Sequence, residues 1–120
     1  MTIFKKSGRA NGFSTNIEVM LEVMRLIRSA TESDPIKCIE ISRKLGFSDT
    51  STSSRVRQII LECMDYDQTF VPVAKNQGYY LARSERQVED YIHQLNGRAK
   101  KIHERILKVQ ENYKLRRHSL

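Results

Sequence analysis

Proline occurs only twice and glycine five times in the 120 residues, and the glycines are scattered singly. No glycine-rich phosphate loop and no nucleophile elbow can be built from that distribution. Cysteine is also scarce. Cys38 and Cys63 each sit among apolar neighbours, and they read as small core hydrophobes of a protein in a reducing cytoplasm. His93, His103 and His118 share no ligand spacing with one another or with the cysteines, so no zinc motif is present and nothing marks a metal or cofactor. No apolar run is long enough to cross a membrane, and the first residues lack the charged-then-apolar pattern of a signal peptide. Glu40, Glu62, Asp65 and Asp67 read as surface groups and helix caps rather than a catalytic pair, so no enzyme is expected.

What the chain does have is enough apolar residues, 39%, for one modest core. Its 21 Lys+Arg against 14 Asp+Glu give a formal charge of +7. That balance favours polyanionic partners, nucleic acid or an acidic protein face.

Residues 1–14 carry Lys5, Lys6 and Arg9 around isolated apolar residues and read as a mobile basic arm. A helix is expected after Thr15, since Thr15 and Glu18 have capping-box spacing and Ile17, Met20, Leu21, Met24 and Ile27 recur at helical intervals. It should end near Thr31, before Ser33-Asp34-Pro35. Ile36 to Cys38 suits a very short strand. Ile39, Ile41 and Leu45 then read as two helical turns closed by Gly46. From Thr50 to Met64 a third helix places Val56, Ile59, Ile60 and Cys63 on one face. Phe70, Val71 and Val73, then Gly78 to Ala82, form a hairpin with Lys75-Asn76-Gln77-Gly78 as its bend. Pro72 cannot donate to a ladder, so its strand belongs at an edge or turns that position outward.

The order of helix, brief strand, short helix, tight turn, hydroxyl-rich helix and hairpin resembles the winged helix-turn-helix family. The resemblance is carried by Glu40-Ile41-Ser42-Arg43-Lys44-Leu45-Gly46-Phe47-Ser48, by Arg55-Val56-Arg57-Gln58-Ile59-Ile60, and by Phe70-Val71-Pro72-Val73 running into Gly78-Tyr79-Tyr80-Leu81-Ala82. The closing segment and the charged helix after it look most like the small winged-helix proteins of bacteriophages and prophages. The fold class expected is therefore mainly α with a small β-hairpin, a winged helix-turn-helix over residues 15–83 followed by a long heptad helix.

A helix entering a major groove needs short polar side chains at its N-terminal end and basic residues just behind. Thr50, Ser51, Thr52, Ser53, Ser54, Arg55, Arg57 and Gln58 meet that need. Ser51, Ser54, Arg55 and Gln58 are the base-reading candidates, because Arg can fork to guanine and Gln can pair with adenine. A run of hydroxyls at a helix start equally serves as a plain N-cap region. Lys75, Asn76 and Gln77 in the bend are phosphate or minor-groove candidates, although turns are polar in any case. Arg43 and Lys44 are candidates for holding the backbone, or for complementing their own helix dipole.

Ser84, with Gln87 at the capping-box position, opens the longest helix. Val88, Ile92, Leu95, Ala99, Ile102, Ile106, Val109 and Tyr113 alternate in steps of four and three, a heptad stripe with d at Val88 and a at Ile92. Such a helix is not stable alone in water, so the stripe pairs with a second copy or folds back on the domain. Pairing suits a DNA reader with two half-sites. Glu85, Glu89 and Asp90 stand near the start while Arg98, Lys100, Lys101, Arg105 and Lys108 crowd the later half, which leans towards an antiparallel pair, unless it only complements the helix dipole. Residues 84–113 are assigned to this helix and 114–120, with Lys114, Arg116, Arg117 and His118, to a basic tail.

The function expected is a sequence-specific double-stranded DNA-binding protein, a homodimeric transcriptional regulator of phage or prophage type working in a bacterial cytoplasm. The rival from another class is a protein-interaction module binding a host or phage transcription or replication protein, since a fold does not settle function. Single-strand binding would lean on Tyr66, Tyr79 and Tyr80 as stacking platforms.

Overall fold

The computed structural model describes residues 15–47 and 52–119. The basic arm expected over residues 1–14 lies outside them. The elements run α1 (Ile17–Arg28), β1 (Ile36–Lys37), α2 (Cys38–Leu45), α3 (Thr52–Tyr66), β2 (Pro72–Lys75), β3 (Gly78–Leu81) and α4 (Glu85–Ser119). The chain is thus mainly helical, with a small antiparallel sheet and a long C-terminal helix. Residues up to Arg83 form one compact unit and those from Ser84 another. No helix among the described residues is long and apolar enough to cross a membrane.

Helix α1 starts one residue later than the Thr15 capping box predicts. The Asn16 side chain accepts from the Glu18 amide at 2.7 Å and is the cap. Thr15 instead donates its hydroxyl to the Glu62 carboxylate on α3. Either residue type caps well, and the long-range bond decides between them. The helix stops at Arg28, short of Thr31, and its freed carbonyls find a donor in Arg83. That guanidinium donates to Arg28 O and Ala30 O, each at 2.7 Å, and to Leu81 O at 2.8 Å, fastening the end of α1 to the end of β3.

Gly46 closes α2 with φ of 79°, the left-handed conformation that favours glycine. Gly46 N–H donates to Arg43 O and Phe47 N–H to Ser42 O, the paired bonds of a Schellman end. The chain turns there before α3.

The core lies where α1, α2 and α3 meet. Ile17, Met20, Val23, Met24, Leu26 and Ile27 face Cys38 and Ile41 of α2, Val56, Ile59, Ile60 and Cys63 of α3, and Phe70. The α3 face expected from the sequence is buried at all four positions. Two other expectations fail. Leu21 and Ile39 are each 49% exposed, while Val23 and Leu26 are buried. An i, i+4 count tolerates either register, and contact with the neighbouring helices selects the one with more area to bury.

The sheet order is β1-β3-β2, so β2, with Pro72, is an edge strand as the missing N–H requires. β2 and β3 are joined by a two-residue loop, Asn76-Gln77, with φ of 52° and 64°. Two left-handed residues make a type I′ turn, whose twist matches a hairpin. Gly78 follows for a separate reason. A Cβ there would stand 2.4 Å from the Ile36 carbonyl oxygen, so only glycine lets β1 pair with β3.

Ser84 Oγ accepts from the Gln87 amide at 3.2 Å and caps α4. The helix does not give way to a tail at 114: it runs on to Ser119 and takes in Lys114, Arg116, Arg117 and His118.

Candidate nucleic-acid interface

Burying Val56, Ile59, Ile60 and Cys63 turns the other side of α3 outward. Ser54, Arg55, Arg57 and Gln58 are all exposed there, and Thr52 opens the helix. Thr50 and Ser51 lie outside the described residues.

Arg55 has a local partner that the sequence does not suggest. Its guanidinium lies 3.7 Å from the centroid of the Phe47 ring, a cation–π stack across the turn between α2 and α3. Phe47 in turn packs partly buried against the core. Arg55 therefore ties the start of α3 to Phe47 at the end of α2, while Ser54 and Gln58 lie opposite the buried face. An aromatic eight residues before a basic residue, across a turn, is the one sequence signal that points to this pairing.

Arg57, a DNA-contact candidate outside the base-reading four, acts on the start of α2. Burial pushes the Cys38 thiol up and the positive charge of Arg57 pulls it back. The Cys38 amide donates to Gln77 O at 3.0 Å, so the start of α2 and the hairpin tip are near neighbours. Lys37 Nζ donates to Asn76 O at 3.2 Å and steadies the same tip. Asn76 and Gln77 are exposed. Lys75 is exposed but donates to Glu32 O at 2.9 Å, which turns its ammonium towards the loop after α1. Arg43 and Lys44 are exposed in the last turn of α2, and Lys44 adds a small attraction to Glu22.

The aromatic platform for single strands is not assembled. Tyr80 is 3% exposed, and Tyr66 and Tyr79 pack against the core. Nothing in the sequence marks Leu61 and Met64 as surface residues, yet they stand 57% and 40% exposed. Leu61 lies one helical turn beyond Gln58 on the outward side.

The thiols are poor nucleophiles. Both are free and buried, and burial pushes Cys63 up to about 12, with the Glu62 carboxylate adding to the rise. Among the described residues no three His, Cys, Asp or Glu side chains converge as metal ligands would.

On α4, Ile92, Leu95, Ile102, Ile106, Val109 and Tyr113 are between 41% and 62% exposed. Ala99 is exposed as well and Val88 is half-buried. The heptad stripe is thus an open apolar line on a single chain. Comparison of the chain with family models, curated proteins and solved structures found no match.

Proposed function

We propose that the chain is a sequence-specific double-stranded DNA-binding protein of winged helix-turn-helix type, a homodimeric transcriptional regulator of phage or prophage kind working in the cytoplasm. The observation that carries this reading is α3. Val56, Ile59, Ile60 and Cys63 are inside, the other face presents Ser54, Arg57 and Gln58, and in the chain the helix stands between the glycine-closed end of α2 and the hairpin. In the proposed complex α3 enters the major groove, the Asn76-Gln77 tip serves as the wing, and Arg43 and Lys44 hold phosphates. The open heptad line of α4 joins two copies, so that two α3 helices meet two half-sites.

Selection of bound duplexes from a random pool, followed by fluorescence anisotropy, tests it. A recurrent motif bound with strong salt dependence is expected. Gln58→Ala should relax the preference at one base pair, worth about 1–3 kcal/mol. The absence of salt-sensitive binding to any duplex at low ionic strength overturns the reading.

The exposed Leu61 and Met64 favour a second reading, a protein-interaction module using the outward side of α3. Stoichiometric capture of one transcription or replication protein, lost in Leu61→Ser and accompanied by indifference to DNA, is its signature.

A further inference from the structure

The chain's positive charge is distributed very unevenly. Residues 15–83 hold nine Lys+Arg and nine Asp+Glu, so the compact unit has no formal net charge. Residues 97–120 hold eight Lys+Arg against two Asp+Glu. With three more cations and no acid in residues 1–14, the largest share of the surplus that points to a polyanion therefore lies in the later part of α4.

The helix arranges that surplus. Arg98, Lys101, Arg105 and Lys108 are spaced three, four and three apart, the same step as the apolar line beside them, and all four are exposed. Asn112 and Leu115 take the next two places on this line, so the cationic row ends at Lys108. From Arg98 to Lys108 the row is about 15 Å long at 1.5 Å per residue. Glu104 and Glu111 share the adjoining heptad position, within one helical turn of Lys101 and Lys108. None of Arg98, Lys101, Arg105 and Lys108 makes an ion pair among the described residues.

Helix polarity does not account for it. The attraction of a helix end for cations fades within the last turn, whereas the row begins about 30 Å before Ser119. An anionic membrane suits a basic amphipathic helix, but such helices lay down a broad apolar face. Here the exposed apolar residues keep to the narrow 3.5-residue seam of a coil apart from Leu107 and Leu115. With the seam covered by a second copy, Lys101 and Lys108 face outward and Arg98 and Arg105 border the seam, so their long side chains reach solvent along its edge.

We infer that the row Arg98, Lys101, Arg105 and Lys108 on α4 is a second nucleic-acid site, which binds the phosphates of duplex DNA without regard to base sequence. It supplies most of the affinity, whatever α3 contributes to choice of sequence. The site does not rest on the α3 reading.

The test is anisotropy of the full chain with random duplex DNA from 50 to 300 mM NaCl. Changing all four residues to Gln should lower affinity at low salt by on the order of 100-fold, and flatten the slope of log K against log salt by about 3 to 4 per chain. The charge-preserving exchange Arg98→Lys, Lys101→Arg, Arg105→Lys and Lys108→Arg should restore both. Circular dichroism and solution mass confirm that each variant keeps its helix and assembly. An unchanged slope in the Gln variant overturns the site and leaves the α3 proposal standing. Loss of binding to phosphatidylserine vesicles with DNA binding intact also overturns it, in favour of a lipid surface.

Discussion

Ile60 and Ile102 are the same residue type on two helices of one chain, and one is 2% exposed and the other 55%. The contrast extends to the regions that hold them. In residues 15–83 three helices and a small sheet turn their apolar side chains on one another, charge is balanced, and buried ends are tied by groups such as Arg83. Along α4 the apolar residues lie open and the charge is skewed. One region finds its stabilising surface within itself. The other carries a surface whose stabilisation depends on something else binding to it.

The sharpest way to break this comparison is to delete the same atoms in both places. Ile60→Ala should lower the unfolding free energy of the compact unit by about 2–5 kcal/mol in urea melts, through lost burial and the cavity left behind. Ile102→Ala should leave that transition within about 0.5 kcal/mol and instead lower the solution mass at a given concentration. An equal loss of stability from both would erase the distinction.

Gly78→Ala comes next. Its methyl group would meet the Ile36 backbone oxygen, which cannot rotate away, so β1 must leave β3 at a cost of about 2–3 kcal/mol. Amide exchange at Ile36 and Lys37 should accelerate together. At the hairpin tip the expected sign reverses. Gln77 holds φ of 64° without glycine's freedom, so Gln77→Gly should raise stability by about 1 kcal/mol. If the same change weakens DNA binding, the tip keeps Gln77 for contact rather than for folding.

The smallest effect expected is a pH dependence. The Thr69 hydroxyl, then the Thr69 amide and Arg28 at 2.7 Å, hold the Asp67 carboxyl below its ordinary value. A carboxylate lowered in the folded state contributes stability that is present above the unfolded value, near 3.9, and lost as pH falls through the folded one. Asp67→Asn should therefore lower the melting temperature slightly at pH 7 and make the acid limb below pH 4 less steep. An acid limb parallel to that of the unaltered chain would show that Asp67 has no part in it.

Much of the compact unit is legible in the sequence because its signals are local. A face of Val56, Ile59, Ile60 and Cys63 is a matter of helical period, and Gly46 and Pro72 are constrained by their own covalent geometry. The site is legible only in outline. Arg55 has the chemistry of a base reader, but a ring eight residues away holds it, and the alternation at Tyr79 and Tyr80 does not show which ring is buried.

The sequence by itself determined the order and type of the elements, the inward face of α3, the edge position of β2 and the heptad line of α4, since each follows from period or from a single residue's backbone limits. Only the tertiary structure decided that Asn16 rather than Thr15 caps α1, that Leu21 and Ile39 face out, that Arg55 stacks on Phe47 and that α4 continues as helix to Ser119. Those outcomes depend on which surfaces meet across tens of residues of chain, and burial area and long-range hydrogen bonds choose among registers that local propensity leaves nearly equal.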